Sequence, residues 1–362
     1  MIELHYLHGK PVSKADLRTQ NSDFIVQEIL PFSPTGEGEH HLLHIRKEGL
    51  NTADVVKILS GFAHVHPKEV TYAGQKDKNA ITEQWFGVRI PGKDTPDWVS
   101  LNCDELTILS SHRHSKKLRI GALAGNRFSL TLRNVTDMQD VLARLALINE
   151  TGVPNYFGEQ RFGHDGKNLV FGRQMFTGRK VKDRKKRSMY LSAVRSYLFN
   201  YVTSMRLAEH GLEKLDGDSV MLAGSRSYFV AEQWDDALLK RLDEKDIQLS
   251  APMWGRGAAL PQGIAADFEA KVLAEFDTDR DGLEHAGLEQ ERRPLLLEPQ
   301  HLSYQQDGDD VIVIKFALPA GSFATSVLRE VFDYEDVRER EFRQRQIERR
   351  EQELANSVVS DS

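Results

Sequence analysis

The chain has 362 residues, 40% hydrophobic and 28% charged, which excludes wholesale disorder and is long enough for about two domains with cores of their own. No stretch approaches the roughly 20 apolar residues of a membrane span, and the opening Met1 to His5 lacks the basic and apolar regions of a secretory leader, so a cytoplasmic protein with no membrane partner is expected. The formal net charge of −6 weighs against a polyanionic partner until its distribution is read: seven of the nine residues over 179–187 are basic, whereas 265–300 carries ten acids against four bases.

Residues 23–30 read as a short β-rich run, a Pro/Gly turn follows over 31–38, and 41–46 resumes a strand. Residues 52–62 carry helical spacing, and 69–73 is a further strand. Gln84, Phe86, Val88 and Ile90 alternate with Trp85, Gly87 and Arg89, as in a half-buried strand, and between these strands lies a polar loop, 74–79. Residues 127–134 alternate again; 137–150 form an amphipathic helix with Met138, Val141, Leu142, Leu145 and Leu147 near one face. Glycine and proline in Gly152-Val153-Pro154 mark a domain boundary.

Beyond that boundary 192–212 is a long helix, with Val194, Tyr197, Leu198, Tyr201, Val202 and Met205 at helical spacing, and the acidic segment to about Arg293 adds further helix. Strand returns after Pro294, notably over 310–317. Residues 336–354 predict a charged, solvated helix supported by Glu339 with Arg343 and Glu341 with Arg345, and 356–362 a disordered end.

Several chemistries lack their residues. Cys103 is the single cysteine, so no internal disulfide or Cys-x-x-Cys zinc pair is possible. Asp277, Asp279, Asp281 and Gly282 copy the first half of a calcium loop, but Leu288 stands where the bidentate carboxylate belongs, and an exposed acidic connection is expected instead. His40, His41 and His44, His64 and His66, and His112 and His114 have no attached carboxylate or cysteine set and are expected to be structural or solvated. The run Gly255-Arg256-Gly257 lacks both a third glycine and a preceding strand for a nucleotide cradle. Chemistry without metal or cofactor then rests on ordinary side chains, with carboxylates leading.

The segment Thr71-Tyr72-Ala73-Gly74-Gln75-Lys76-Asp77-Lys78-Asn79-Ala80 runs from strand to tip to strand. Asp77 stands at the tip, flanked by Lys76 and Lys78, where positive charge suits an anionic side chain, and Gly74 permits backbone geometry closed to other residues. This segment strongly resembles the signature of the tRNA pseudouridine synthase D family. Further family-like motifs follow in the family's order: Gly152 to Gly163, Lys186-Arg187-Ser188 with Leu191 to Asn200, and Leu318 to Glu330, with Asp23-Phe24 and Gly36 to His40 in support.

The resemblance implies an enzyme that isomerises a uridine of tRNA, at position thirteen in the D arm, to pseudouridine without a cofactor or metal. It implies Asp77 as the catalytic aspartate, with Gln75 and Lys76 supporting, and Phe24, Asn126 and Phe323 as substrate contacts. Phe128 is a further stacking candidate, since the uridine must leave its stack and aromatic faces can receive it. Arg179, Lys180, Arg184, Lys185, Lys186 and Arg187 suit the RNA backbone. The implied fold is α/β (α+β): a pseudouridine synthase catalytic domain with a mixed, mainly antiparallel sheet, in two pieces over 1–153 and 304–362, interrupted by an α/β insertion domain over 154–303. A non-catalytic RNA-binding module, or a hydrolase pairing Asp77 with Glu83, are the rival readings.

Overall fold

The computed structural model describes residues 3–92 and 94–360, with side chains described to residue 352. The chain divides into two compact units. A helical unit comprises Met1–Lys10, Arg144–Glu298 and Ser322–Glu330; a sheet unit comprises Pro11–Ala143, Pro299–Gly321 and Val331–Ser362. Among the described residues no helix is long and apolar enough to cross a membrane.

The sheet unit is built on one ten-stranded, mainly antiparallel sheet. Its first strands are β1 (Lys14–Leu17), β2 (Phe24–Ile29), β3 (His40–Glu48), β4 (Val70–Tyr72), β5 (Ile81–Arg89), β6 (Leu106–His114) and β7 (Gly125–Arg133). The order across it is Gln300–Gln306, Ile312–Pro319, β7, β2, β5, β3, β6, while β4 pairs with β5 and β1 lies antiparallel to β7 and parallel to Asp333–Asp336. Thr82, Gln84, Phe86 and Val88 are buried and Glu83 and Trp85 half-buried, the alternation expected for β5. Helix α1 (Thr52–Phe62) lays Val55 and Leu59 against Leu43, Ile45, Phe86 and Val88. Each such enclosed side chain contributes about 1.5–3 kcal/mol of transfer free energy. The start of α1 is set by the Asn51 N–H, which donates to the Asp54 carboxylate at 3.0 Å and leaves Thr52 as the first helical residue.

The helical unit has a four-stranded antiparallel sheet, in the order Tyr228–Ala231, Asp218–Leu222, Ile247–Met253, Glu291–Pro294. Leu198 and Val202 of the long helix Arg184–His210 share its core with Val220, Ile247 and Leu249. The neighbouring helix Lys167–Phe176 comes so close that a Cβ at Gly172 would sit 2.7 Å from the Tyr190 carbonyl.

Several expectations are corrected here. The long helix begins at Arg184, because Asp183 accepts from the Lys185 and Lys186 N–H groups at 2.8 and 3.1 Å and caps it. The stretch from the end of that helix to about Arg293, expected to add helix, holds the sheet just described as well as helices. Asp277 opens the helix Asp277–His285 instead of an exposed connection, and Asp279 is buried against Arg173 at 2.8 Å, so helical geometry splays the acids that a calcium loop would converge. Leu147 is exposed at 43%, with Val141, Leu145 and Ile148 forming the buried face of that helix. The last helix, Val337–Ser360, extends through the stretch expected to be disordered from Asn356; Asp361 and Ser362 lie outside the described residues. Its Glu339 with Arg343 and Glu341 with Arg345 pairs form, each at 3.6 Å.

Candidate active site

Cross-strand register gathers one set of side chains on one face of the sheet unit. Glu28 stands opposite Asn126, and Val26 opposite Phe128 in the β2–β7 pair and opposite Thr82 in the parallel β2–β5 pair. Lys47 also stands opposite Thr82. Directly opposed residues share a face and alternation keeps i and i+2 together, so Phe24, Glu28, Asn126, Phe128, Thr82 and Lys47 project to one side. Glu83 and Trp85 project to the other, where the Trp85 ring stacks on His44 at 4.6 Å.

The loop carrying Asp77 is clamped over the first face. Ala73 and Ala80 bury its ends. Gln84, wholly buried at the start of β5, donates through Nε2 to the Gly74 carbonyl at 2.6 Å, and Thr52 Oγ1 accepts from the Lys76 N–H at 3.0 Å while bonding Gln84 Oε1 at 3.1 Å. Lys76 Nζ pairs with Glu28, whose other oxygen accepts the Trp85 N–H at 2.8 Å. Lys76 is therefore committed to a buried carboxylate below the loop. Gln75 and Lys78 are exposed at the tip. Gly74 does not adopt a left-handed backbone, and a Cβ there would meet only Lys76 Nζ at 3.8 Å, so the expected need for glycine is not found.

The cation that addresses Asp77 comes from the end of β1. Arg18 Nη1 donates to Asp77 Oδ2 at 2.6 Å, and Asp77 Oδ1 accepts the Asn79 N–H at 2.9 Å. The other two guanidinium donors, Nε at 2.8 Å and Nη2, hold Asp336, while Glu339 lies 3.8 Å away. Burial pulls Arg18 toward lower basicity, but its bond to Asp336 and the charges of Asp336, Asp77 and Glu339 outweigh that and hold it above the ordinary arginine value. With 7% of its side chain exposed against 35% for Asp77, the arginine is an enclosed anchor and the carboxylate an accessible group. Arg18 has a φ of 59°, strained for a residue with a Cβ, and its guanidinium lies 5.5 Å from the Phe24 ring.

Beneath the loop lies Lys47, 1% exposed, donating to the Leu50 and Asp77 carbonyls at 2.7 and 3.1 Å. Burial pushes its ammonium down to about 8, against the opposing pull of the Asp77 charge. Phe24 meets the edge of Phe128 at 6.5 Å, and Phe128 packs on Phe316 at 5.4 Å, so Phe128 is an enclosed ring behind the half-buried Phe24. Asn126 Oδ1 is buried without a hydrogen-bond partner among the described residues.

The structure thus brings Asp77, Lys76, Phe24, Asn126 and Phe128 into one region and adds Arg18, Lys47, Glu28 and Asp336, which the sequence reading missed. A basic residue at a strand end followed by Thr19 carries no signal that could have singled out Arg18. Phe323 belongs to the helical unit, where its ring lies 5.9 Å from Phe157. The basic run is in the same unit; Arg179 stacks on Phe171 at 4.1 Å, and Lys180, Arg184, Lys185, Lys186 and Arg187 are exposed with no ion pair among the described residues. Glu83 faces His44 and Arg46, each at 3.8 Å. Burial pushes His40, His41, His44 and His114 below the ordinary histidine value, in keeping with neutral, structural rings.

Comparison with known proteins gives the family. The family model described as tRNA pseudouridine synthase D (TruD) matches residues 3–182 and 179–331. A tRNA pseudouridine synthase D from Shewanella oneidensis is 70% identical over 339 residues, which is 94% of this chain and 91% of that protein. One from Aeromonas hydrophila is 50% identical over 337 residues, 92% and 95% of the two chains. A crystal structure from Methanosarcina mazei, assigned as a tRNA pseudouridine synthase D, matches at a TM-score of 0.72 over 91% of this chain and 96% of that one; at 23% identity the likeness is one of fold, and it accords with the mixed α and β content and mainly antiparallel sheet. The chain belongs to the tRNA pseudouridine synthase D family.

Proposed function

We propose that this protein is an isomerase that converts uridine to pseudouridine at position thirteen in the D arm of tRNA, with Asp77 as its catalytic carboxylate and no cofactor. The observation that carries the reading is an accessible carboxylate held in place by an enclosed guanidinium, at 2.6 Å. The reaction opens the N-glycosidic bond, turns the base and rejoins it through carbon. An anionic Asp77 supports it by bonding to sugar or base, or by facing positive charge on the ribose as the bond opens. Phe24 offers a half-buried aromatic face to an everted base, and Asn126 Oδ1 an unused acceptor for a uracil N–H. The sheet unit serves as the catalytic domain, the helical unit as the family's insertion with Phe323 and the basic run as RNA contacts.

A hydrolase pairing Asp77 with Glu83 is not favoured, because Glu83 projects to the opposite face of the sheet, toward His44 and Arg46. The test uses unmodified tRNA transcripts carrying uridine or cytidine at position thirteen. Wild-type protein should place one pseudouridine at that position, mapped by a base-selective chemical adduct; Asp77→Asn should bind tRNA and make none. Pseudouridine formed by Asp77→Asn at more than a tenth of the wild-type rate, or product elsewhere in the transcript, would sink the assignment.

A further inference from the structure

In the helical unit a half-buried cation has no ion pair among the described residues. Arg161, in the short helix Glu159–Phe162, is half-buried, and its guanidinium lies 5.3 Å from the Phe157 ring and 5.7 Å from the Phe323 ring. Nη1 donates to Ser192 Oγ at 3.1 Å, while Nε is enclosed with no partner. Burial pushes the group below the ordinary arginine value, and among the described residues no carboxylate offsets that. Arg293 places a second guanidinium 4.1 Å from the same Phe157 ring, and burial together with the charge of Arg161 pushes it down to about 10.

Desolvation of Arg161 and its repulsion of Arg293 across one ring both disfavour the charged pair in the folded protein. Three enclosed arginines elsewhere in this chain each meet an acid: Arg206 with Asp218 at 2.8 Å, Arg292 with Glu269 at 2.6 Å and Arg18 with Asp77 at 2.6 Å. An arrangement unfavourable for folding is intelligible if an anion completes it, and the planar guanidinium fork matches a phosphate. Ser192 points to the source of that anion. It lies on the helix Arg184–His210, and Arg184, Ser188 and Ser192 recur every fourth residue along one face, about 12 Å from first to last. Exposed cations at the head of that helix and Arg161 against Ser192 therefore lie along one line.

We propose that Arg161, supported by Ser192, binds a backbone phosphodiester of the RNA substrate at the end of a cationic track that begins at Arg184. The proposal rests on the RNA-modifying reading and names a contact within it. Binding of a fluorescent tRNA transcript is titrated over a range of salt concentrations for wild type, Arg161→Gln and Arg161→Lys, with melting temperatures and steady-state rates alongside. Arg161→Gln should bind about tenfold more weakly, with the slope of log Kd against log salt lower by roughly 0.7–0.9, one phosphate's share. Its KM should rise with kcat retained, and its melting temperature should hold or rise, because an unmatched charge has been removed. Arg161→Lys should keep the salt slope. An unchanged slope in Arg161→Gln, or weaker binding that tracks a lowered melting temperature, overturns the proposal. Competition by inorganic phosphate in wild type, with an unchanged RNA slope in Arg161→Gln, would mark a free-phosphate site and overturns it too. A wild-type protein that binds no tRNA overturns both readings; one that modifies tRNA while Arg161→Gln matches its slope overturns this one alone.

Discussion

Replacing Arg18 by Met separates scaffold from chemistry. The guanidinium serves two carboxylates of different standing: Asp336, whose side chain is 10% exposed, and Asp77, at 35%. Removing one partner of a buried pair leaves an enclosed charge and destabilises by about 3–5 kcal/mol. The Asp77 link is screened by solvent and adds no more than about 1 kcal/mol. Arg18→Met should therefore lose roughly 3–5 kcal/mol, nearly all of it through Asp336, and the double variant Arg18→Met with Asp336→Leu should recover most of that, since no charge stays enclosed. Activity should follow another course. Both variants lack the donor that meets Asp77, and both should form pseudouridine about 100- to 1,000-fold more slowly at saturating tRNA. Urea or thermal melts report the first quantity and adduct mapping of the transcript over time the second. Recovery of the rate together with stability in the double variant would refute the reasoning, because Arg18 would then be a scaffold alone.

Asn126→Leu removes an enclosed acceptor without a partner, so stability should hold or rise slightly while KM for tRNA increases about tenfold or more, measured by melts and steady-state rates. Gly125→Ala places a Cβ 2.2 Å from the Leu318 carbonyl and should destabilise by about 1–3 kcal/mol while displacing Asn126, seen as a lower melting temperature with a slower rate. Lys47 sets a pH dependence. Its folded value is about 8 against an ordinary 10.5, so between those values the unfolded chain keeps a proton the folded chain has lost, and stability is gained as pH rises through that window, whereas the penalty is fully present below 8. At about 1.36 kcal/mol per unit the gain is roughly 3 kcal/mol. It should disappear in Lys47→Met when melting curves of the two proteins are compared across that range; an equal rise in both would assign it to other groups.

Much of the sheet unit is local and hence legible. Alternation marked β5, helical spacing marked α1 over its observed span, and the strand, tip and strand of the Asp77 loop follow from adjacent residues whose roles depend on neighbours within a turn or two. The helix after the boundary was read short because the start lies in its charged first turns, where no apolar period exists, and only the Asp183 cap announces it. The strands beyond that helix are not legible for a similar reason: Asp218–Leu222 is buried on both faces and Glu291–Pro294 is polar, so neither alternates cleanly.

What the sequence determined by itself is the family order of motifs, and with it the candidates Asp77 and the aromatic and amide residues of β2 and β7. What only tertiary structure decided is the charge arrangement around Asp77. Lys76, adjacent in sequence, is spent on Glu28, while the guanidinium that meets Asp77 is Arg18, held by Asp336 from 318 residues away. An enclosed guanidinium is stabilised by an acid beside it, and strand register, not sequence distance, selects which groups meet; the parallel pairing of β1 with Asp333–Asp336 brings Arg18 and Asp336 together.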